Sequence, residues 1–318
     1  MKSSQIPGIV SLAIPWMLST AAIILRLLAR RITKTRLWWD DWMALSTYVW
    51  AVANSAFGIK WVCDGLALHR AEISWMTPSQ SLKAARMNLF FLVVFYALAV
   101  GFAKIAVLAL YWRMFSLGRL RYPIIVLTIC SVLWTVIRTV LSFIRCIPIQ
   151  KYWDPSVDGR CPINDAKLFP AGAFSHLTLD VLIIALPLFE LRKLRMSVRR
   201  KLGVIVLFMF GIVTCLGTTF VILGSLRLDE TSEELSYTIP SMFVWANVEV
   251  NFGVISACAP LLRPLFSMHK MGSRDKMDDF KSTHKRFSVK HIPARIELYL
   301  LQDLVQHGDM PRELKVDK

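Results

Sequence analysis

The chain has 318 residues, 55% of them hydrophobic, with a mean hydropathy of +0.49, which excludes an ordinary soluble domain. A net charge of +16 would suit nucleic acid, but no groove-reading motif accompanies it. Basic residues between long apolar runs mark membrane loops instead. Nucleic acid is therefore not an expected partner, and membrane lipid is.

Seven apolar spans follow in order, at about 6–28, 41–62, 88–112, 122–145, 168–190, 202–226 and 240–264. They predict an all-α membrane protein, a seven-transmembrane helix bundle placed multi-pass in the plasma membrane or an endomembrane. Met1-Lys-Ser-Ser-Gln precedes a full-length apolar span with positive charge behind it, which fits a retained first helix better than a cleaved signal peptide. Repeats are absent, so one membrane domain (1–266) and one polar tail (267–318) are expected.

Loop charge sets the expected orientation. Arg30, Arg31, Lys34 and Arg36 follow the first span; Arg113, Arg119 and Arg121 follow the third; six basic residues from Arg192 to Lys201 follow the fifth. The alternate loops hold fewer bases and gather acids, among them Asp154, Asp158, Asp165 and Asp229. The positive-inside rule then puts the N-terminus outside and the C-terminus in the cytoplasm. In the tail, Ile296, Leu300, Leu301, Leu304 and Val305 share one face of a possible helix at 294–307. Such a helix would lie on the inner leaflet or a partner, or pack under the bundle.

Six cysteines occur, with no C-x-x-C and no His/Cys cluster at metal spacing, so no metal is expected. Cys146 and Cys161 bracket the loop after span four on the non-cytoplasmic side, where a disulfide can persist. A bridge there would stabilise by roughly 3 kcal/mol in the chain-entropy model. Cys63, at the outer end of span two, is a competing partner.

The last span carries Asn247, Glu249 and Asn251 among apolar neighbours. An ionisable group at membrane depth costs roughly 2.5–3.5 kcal/mol on insertion scales and so faces a bundle interior or a wet cavity. His176 and Asp180 lie one turn apart on span five and share a face. Counting about 1.5 Å per residue puts Glu249, Asp180 and His176 at roughly 14–20 Å depth, within reach of Arg138. These four form a candidate ligand pocket, with Asn247 and Trp245 as further contacts. The plainer alternative is a set of structural ion pairs, with Lys104 and Arg138 snorkelling to an interface. Tyr96, Trp112 and Trp245 read equally as packing or interfacial aromatics. The last span contains no lysine, so a retinal Schiff base cannot form there and no cofactor is expected.

The ordered motifs resemble the fungal rhodopsin-like domain family, seven-helix integral membrane proteins that include the satratoxin-cluster type. They are Arg26-Leu-Leu-Ala-Arg30 followed by Asp40-Asp41-Trp42, Gly65-Leu-Ala-Leu-His69, and Lys104 through Tyr111 to Arg113 and Phe115. Cys146-x-Pro148 with Trp153 and Cys161, Asp180 with Pro187, and Trp245-x-x-x-Glu249 with Pro260 and Arg263-Pro264 complete the series. Ala67 departs from the family's G-x-G-x-H. The resemblance implies a polytopic protein often encoded beside secondary-metabolite genes, and it does not imply light sensing. Asp40 and Asp41 begin a helix at the cytoplasmic face, where a carboxylate meets the positive helix end. They can pair there with Arg26, Arg30 or Arg113.

The expected function is a receptor-like sensor of a small hydrophobic molecule, with a cytoplasmic partner at loop five or the tail. Neither Asp-Arg-Tyr after span three nor Asn-Pro-x-x-Tyr in span seven is present to support G-protein coupling. The alternative is a membrane-embedded enzyme acting on a hydrophobic intermediate, with Glu249 and Asp180 as acid and base and His176 or Arg138 tuning them. A transporter is less favoured, because inverted repeats and paired broken helices are not visible.

Overall fold

Lipid offers the backbone no hydrogen-bond partners, so each apolar run closes its own bonds as a helix. The computed structural model describes residues 5–64, 77–114, 120–191, 198–226 and 240–259. Seven α-helices run through them: α1 (Gln5–Ile32), α2 (Trp39–Asp64), α3 (Pro78–Met114), α4 (Arg121–Phe143), α5 (Asp165–Leu191), α6 (Val198–Ser225) and α7 (Pro240–Cys258). Five of them (α1, α3, α4, α5 and α6) are long and apolar enough to cross a membrane, and α7 carries a shorter apolar stretch, Met242–Cys258. The tail with its expected helix at 294–307, residues 65–69, residues 192–197 of loop five and residues 260–266 all lie outside the described residues.

Helix α3 runs through the middle, touching α2, α4, α5 and α7, while α7 closes the ring against α1 and α6. Close approach is made by small residues. Ala22, Ala44, Ala51, Ala99, Ala106 and Ala257 cluster where α1, α2, α3 and α7 meet, as expected where packing rather than water exclusion drives association. Gly101 lets α3 meet α4: a Cβ there would come within 2.1 Å of the Thr135 hydroxyl. The lipid side is the reverse. On α4, Val126, Ile129, Leu133, Val136, Ile137 and Val140 are all exposed.

Helix α3 begins ten residues before the predicted span. Ser79, Gln80, Ser81, Lys83 and Arg86 interrupt residues 78–87, so this stretch falls outside an apolar window, yet the start is well specified. Pro78 takes the first helical position. The Thr77 amide donates to Gln80 Oε1 at 3.1 Å, and the Gln80 amide donates back to Thr77 Oγ1 at 3.4 Å, a capping box. At about 1.5 Å per residue, α3 is about 55 Å long and projects beyond the apolar layer.

The projecting end meets the loop between α4 and α5. Cys146 and Cys161 are joined by a disulfide, and Cys63 is a free, exposed thiol. Ile147 and Arg160 exchange backbone hydrogen bonds at 2.8 and 3.0 Å. Lys83 of α3 donates to Asp154 at 2.7 Å. That bond, with a second from Ser156, holds the Asp154 carboxyl down at about 2. Removing the bridge as Cys146→Ser/Cys161→Ser is expected to cost roughly 3 kcal/mol. The measurement is the thermal midpoint of the purified protein. Reductant should lower the wild-type midpoint to that of the double mutant and leave the mutant unchanged.

Candidate functional site

At the end opposite the disulfide, α2 opens on two carboxylates. Asp41, in the third helical position, accepts from the Trp38 amide at 3.0 Å and so caps α2. Arg26 of α1 reaches both acids, Nε to Asp41 at 2.8 Å and Nη2 to Asp40 at 2.7 Å, and donates Nη1 to the Ala257 carbonyl at 2.6 Å. Arg30, one turn on, lies 3.2 Å from Asp40 and 2.9 Å from Asp41. All four side chains are buried. Arg113 of α3 stands at 3.5 Å from Asp40 and is largely exposed. Two arginines against two aspartates tie α1, α2 and α7 with no net charge. This end is called the arginine end.

Midway along the bundle lies a second polar layer. Lys104 of α3 pairs with Asp180 of α5, and His176 Nε2 pairs with Glu249 Oε1 of α7. Tyr96 of α3 donates to Glu249 Oε2 at 2.9 Å. His176 Nδ1 faces Asp180 Oδ2 at 3.3 Å, and Thr218 Oγ1 lies 3.4 Å from Nε2. Trp134 leans over the imidazole with ring centroids 5.3 Å apart. This layer sets two basic side chains, Lys104 and His176, against two carboxylates, Asp180 and Glu249. His176, Asp180 and Glu249 offer ligand atoms within 4.8 Å of one another. A cation binding there would compete with the Lys104 ammonium.

Two cavities lie in line on either side of this layer. The register along four helices fixes their order. Toward the arginine end, Val107 and Tyr111 of α3, Ile183 of α5, Leu207 of α6 and Gly253 of α7 line a cleft, into which Lys104, His176, Asp180 and Glu249 also face. Toward the disulfide, Leu89, Leu92 and Val93 of α3, Phe169 of α5, Val221 of α6 and Phe243 and Ala246 of α7 wall a second. Tyr96 lines the second cavity while bonding to Glu249 of the first.

The sequence-predicted residues thus divide. Glu249, Asp180 and His176 come together, whereas Arg138 lines the disulfide-end cavity. Lys104 is buried against Asp180 rather than snorkelling, and Arg138 is buried over the Phe169 ring at 5.5 Å. Asn247 lines neither cavity. It accepts from Ser55 at 2.9 Å and, with Asn251 and Ser19, joins α1, α2 and α7. Trp245 stacks on Phe220 with centroids 4.3 Å apart, also away from both cavities. Sequence reasoning missed Tyr96 as a polar partner, although it shares a face of α3 with Lys104 eight residues on. It also missed Asn54 of α2, whose signal was a polar pair with Ser55 in an apolar run.

The Fungal rhodopsin domain model matches residues 25–268. The chain is similar to "Polyenoic acids biosynthesis gene cluster protein Ba17b" of Metarhizium anisopliae, with 26% identity over 80% of this chain and 71% of that one. It is similar to "SAT4 family membrane protein" of Emericella nidulans at 27% over 65% of this chain, spanning about half (53%) of that relative. "Receptor GIN3" of Arthrobotrys oligospora is 24% identical over 82% of this chain and 62% of its own length. No solved structure matches. Both polar layers and both cavities fall within the matched residues, and the chain belongs to the fungal rhodopsin domain family of multi-pass membrane proteins, whose members include products of secondary-metabolite gene clusters.

Proposed function

We propose that this protein is a receptor-like sensor that takes a small hydrophobic molecule into its disulfide-end cavity. The observation that carries the reading is that cavity's lining, aliphatic and aromatic side chains with few polar groups, the character of a small-molecule site. Occupancy would be felt by Tyr96, which borders the cavity and holds Glu249. Loop charge favours the disulfide end outside and the arginine end in the cytoplasm. A partner reading the ligand state would then meet loop five or the tail. Relatives named as cluster proteins and as a receptor support a metabolite as the ligand. With no lysine in α7, a retinal Schiff base cannot form on that helix.

A second reading, a membrane-embedded enzyme, is favoured by one observation. An imidazole and two carboxylates line the other cleft, where they could move protons on a bound intermediate. One experiment separates the two. Ala246 of α7 lines the disulfide-end cavity, so a tryptophan there fills it; membranes bearing wild type, Ala246→Trp or Glu249→Gln are incubated with a fungal metabolite extract and analysed by mass spectrometry. Retention of one compound by wild type, lost in Ala246→Trp, is expected. A product of new mass made by wild type and lost in Glu249→Gln would instead establish the enzyme. Equal retention by all three and by membranes without the protein would remove the receptor reading.

A further inference from the structure

We infer that the turn between α1 and α2, at the arginine end, binds the headgroup of an anionic phospholipid. Arg31, Lys34 and Arg36 meet its charge, and Trp39 and Trp42 lie beside its glycerol and upper acyl chains. The turn stands where a headgroup stands. The apolar span of α1 ends at Ile32, and residues 31–39 are all exposed. Ile24 and Leu28, both exposed, lead to Arg31 at spacings of four and three, so this cation closes a lipid-facing stripe of α1. On α2, Trp42 and Val49 are exposed seven residues apart, a second such stripe, with Trp39 one turn before Trp42. Trp39 is 69% exposed and Trp42 56%. Water penalises two such rings, whereas the bilayer interface favours them.

The charge of the turn is uncompensated. Asp40 and Asp41, the next acids along the chain, are buried and already bonded to Arg26 and Arg30. Arg31, Lys34 and Arg36 form no ion pair among the described residues. Arg113, over the Trp38 ring at 5.9 Å, adds a partly exposed cation at the rim. The backbone supplies an independent observation. Helix α1 ends with the Thr35 amide donating to the Arg30 carbonyl and the Lys34 amide to the Arg31 carbonyl, each at 3.2 Å, a Schellman motif. Lys34 holds its left-handed position, φ 50°, where glycine is the residue without strain. A lysine there carries a conformational cost, and its ammonium answers no acid of the described chain. An anion from outside is the partner that charge fits. Loop charge favours this end in the cytoplasm, and the cytoplasmic leaflet is the anionic one. The tryptophans select an anion that brings acyl chains with it.

The test is native mass spectrometry of the full chain in detergent, titrated with phosphatidylserine or with phosphatidylcholine of the same acyl chains. Wild type is expected to bind its first phosphatidylserine at least about tenfold more tightly than phosphatidylcholine. Arg31→Gln/Lys34→Gly/Arg36→Gln should bring the two lipids to parity. Arg199→Gln/Arg200→Gln/Lys201→Gln, which removes as many charges at the start of α6, should leave the preference intact. Lys34→Gly alone should cut the preference severalfold without lowering the thermal midpoint, because glycine suits that backbone. It keeps the test decisive should the triple variant fail to fold. Equal binding of the two lipids by wild type would overturn the inference, as would a preference untouched by Lys34→Gly. Displacement of phosphatidylserine by equimolar glycerophosphoserine, the same headgroup without chains, would make this a site for a free phosphate ester and overturn the lipid.

Discussion

Arg26→Ala is expected to destabilise the bundle by about 3–5 kcal/mol, because it leaves two buried carboxylates short of their main partner. Arg26 alone touches Asp40, Asp41 and the Ala257 carbonyl, so its loss unties α1 from both α2 and α7. Arg30 cannot compensate. Its contacts to the same two acids already exist, and one guanidinium would face two negative charges. Arg26→Lys should recover little, since an ammonium cannot span two carboxylates and a carbonyl in the same plane. Arg113→Ala is the contrast. Its contact with Asp40 is long, at 3.5 Å, and its own side chain is partly exposed, so its loss is expected to cost about 0–1 kcal/mol. The check is thermal unfolding of detergent-solubilised protein followed by size-exclusion fluorescence. If the two alanine variants melt together, the buried cluster is not what holds this end.

Lys104→Met should have a comparable cost of about 3–5 kcal/mol, by stranding Asp180 beside His176 at the bundle centre. The double variant Lys104→Met/Asp180→Leu removes both charges and should recover most of the loss, since an apolar pair replaces a buried ionic one at little cost. A thermodynamic cycle over the four proteins measures this coupling directly. Additive losses would mean that Lys104 and Asp180 do not depend on each other. Recovery in the double variant, with Glu249→Gln destabilising independently, would identify two separate pairs bridged by His176.

Much of this architecture was legible because membranes enforce a simple rule: long apolar runs become helices, and isolated charges within them must turn inward. Glu249, Asp180 and His176 followed from that rule, with depth given by helical rise. The start of α3 was also readable, from Thr77-Pro78-Ser-Gln80, but hydropathy overrode it because polar and charged residues interrupt 78–87. Partner choice was another matter. Periodicity places Lys104 on a face of α3, yet whether that face meets α5 or lipid depends on helix order and rotation, which neighbouring helices decide. Depth counting brought Arg138 near Glu249. It could not reveal that Tyr96 and His176 lie between the two cavities, since that partition is made by side chains from three separate helices. The same reasoning explains Trp245 and Asn247: being on the right helix says nothing about the direction of the side chain.

Helix α3 is a rod of about 55 Å whose two tips are anchored by different chemistry from its middle. Lys83 grips Asp154 at one tip and Arg113 grips Asp40 at the other, both cations being substantially exposed. Lys104 and Tyr96, between them, bond inside the bundle. Ionic strength screens exposed charges and barely reaches buried ones, with a Debye length of about 8 Å in physiological salt. Concentrated salt therefore loosens the Lys83 tip first, where both charges reach solvent, while buried Asp40 keeps the other tip screened less and the centre stays gripped.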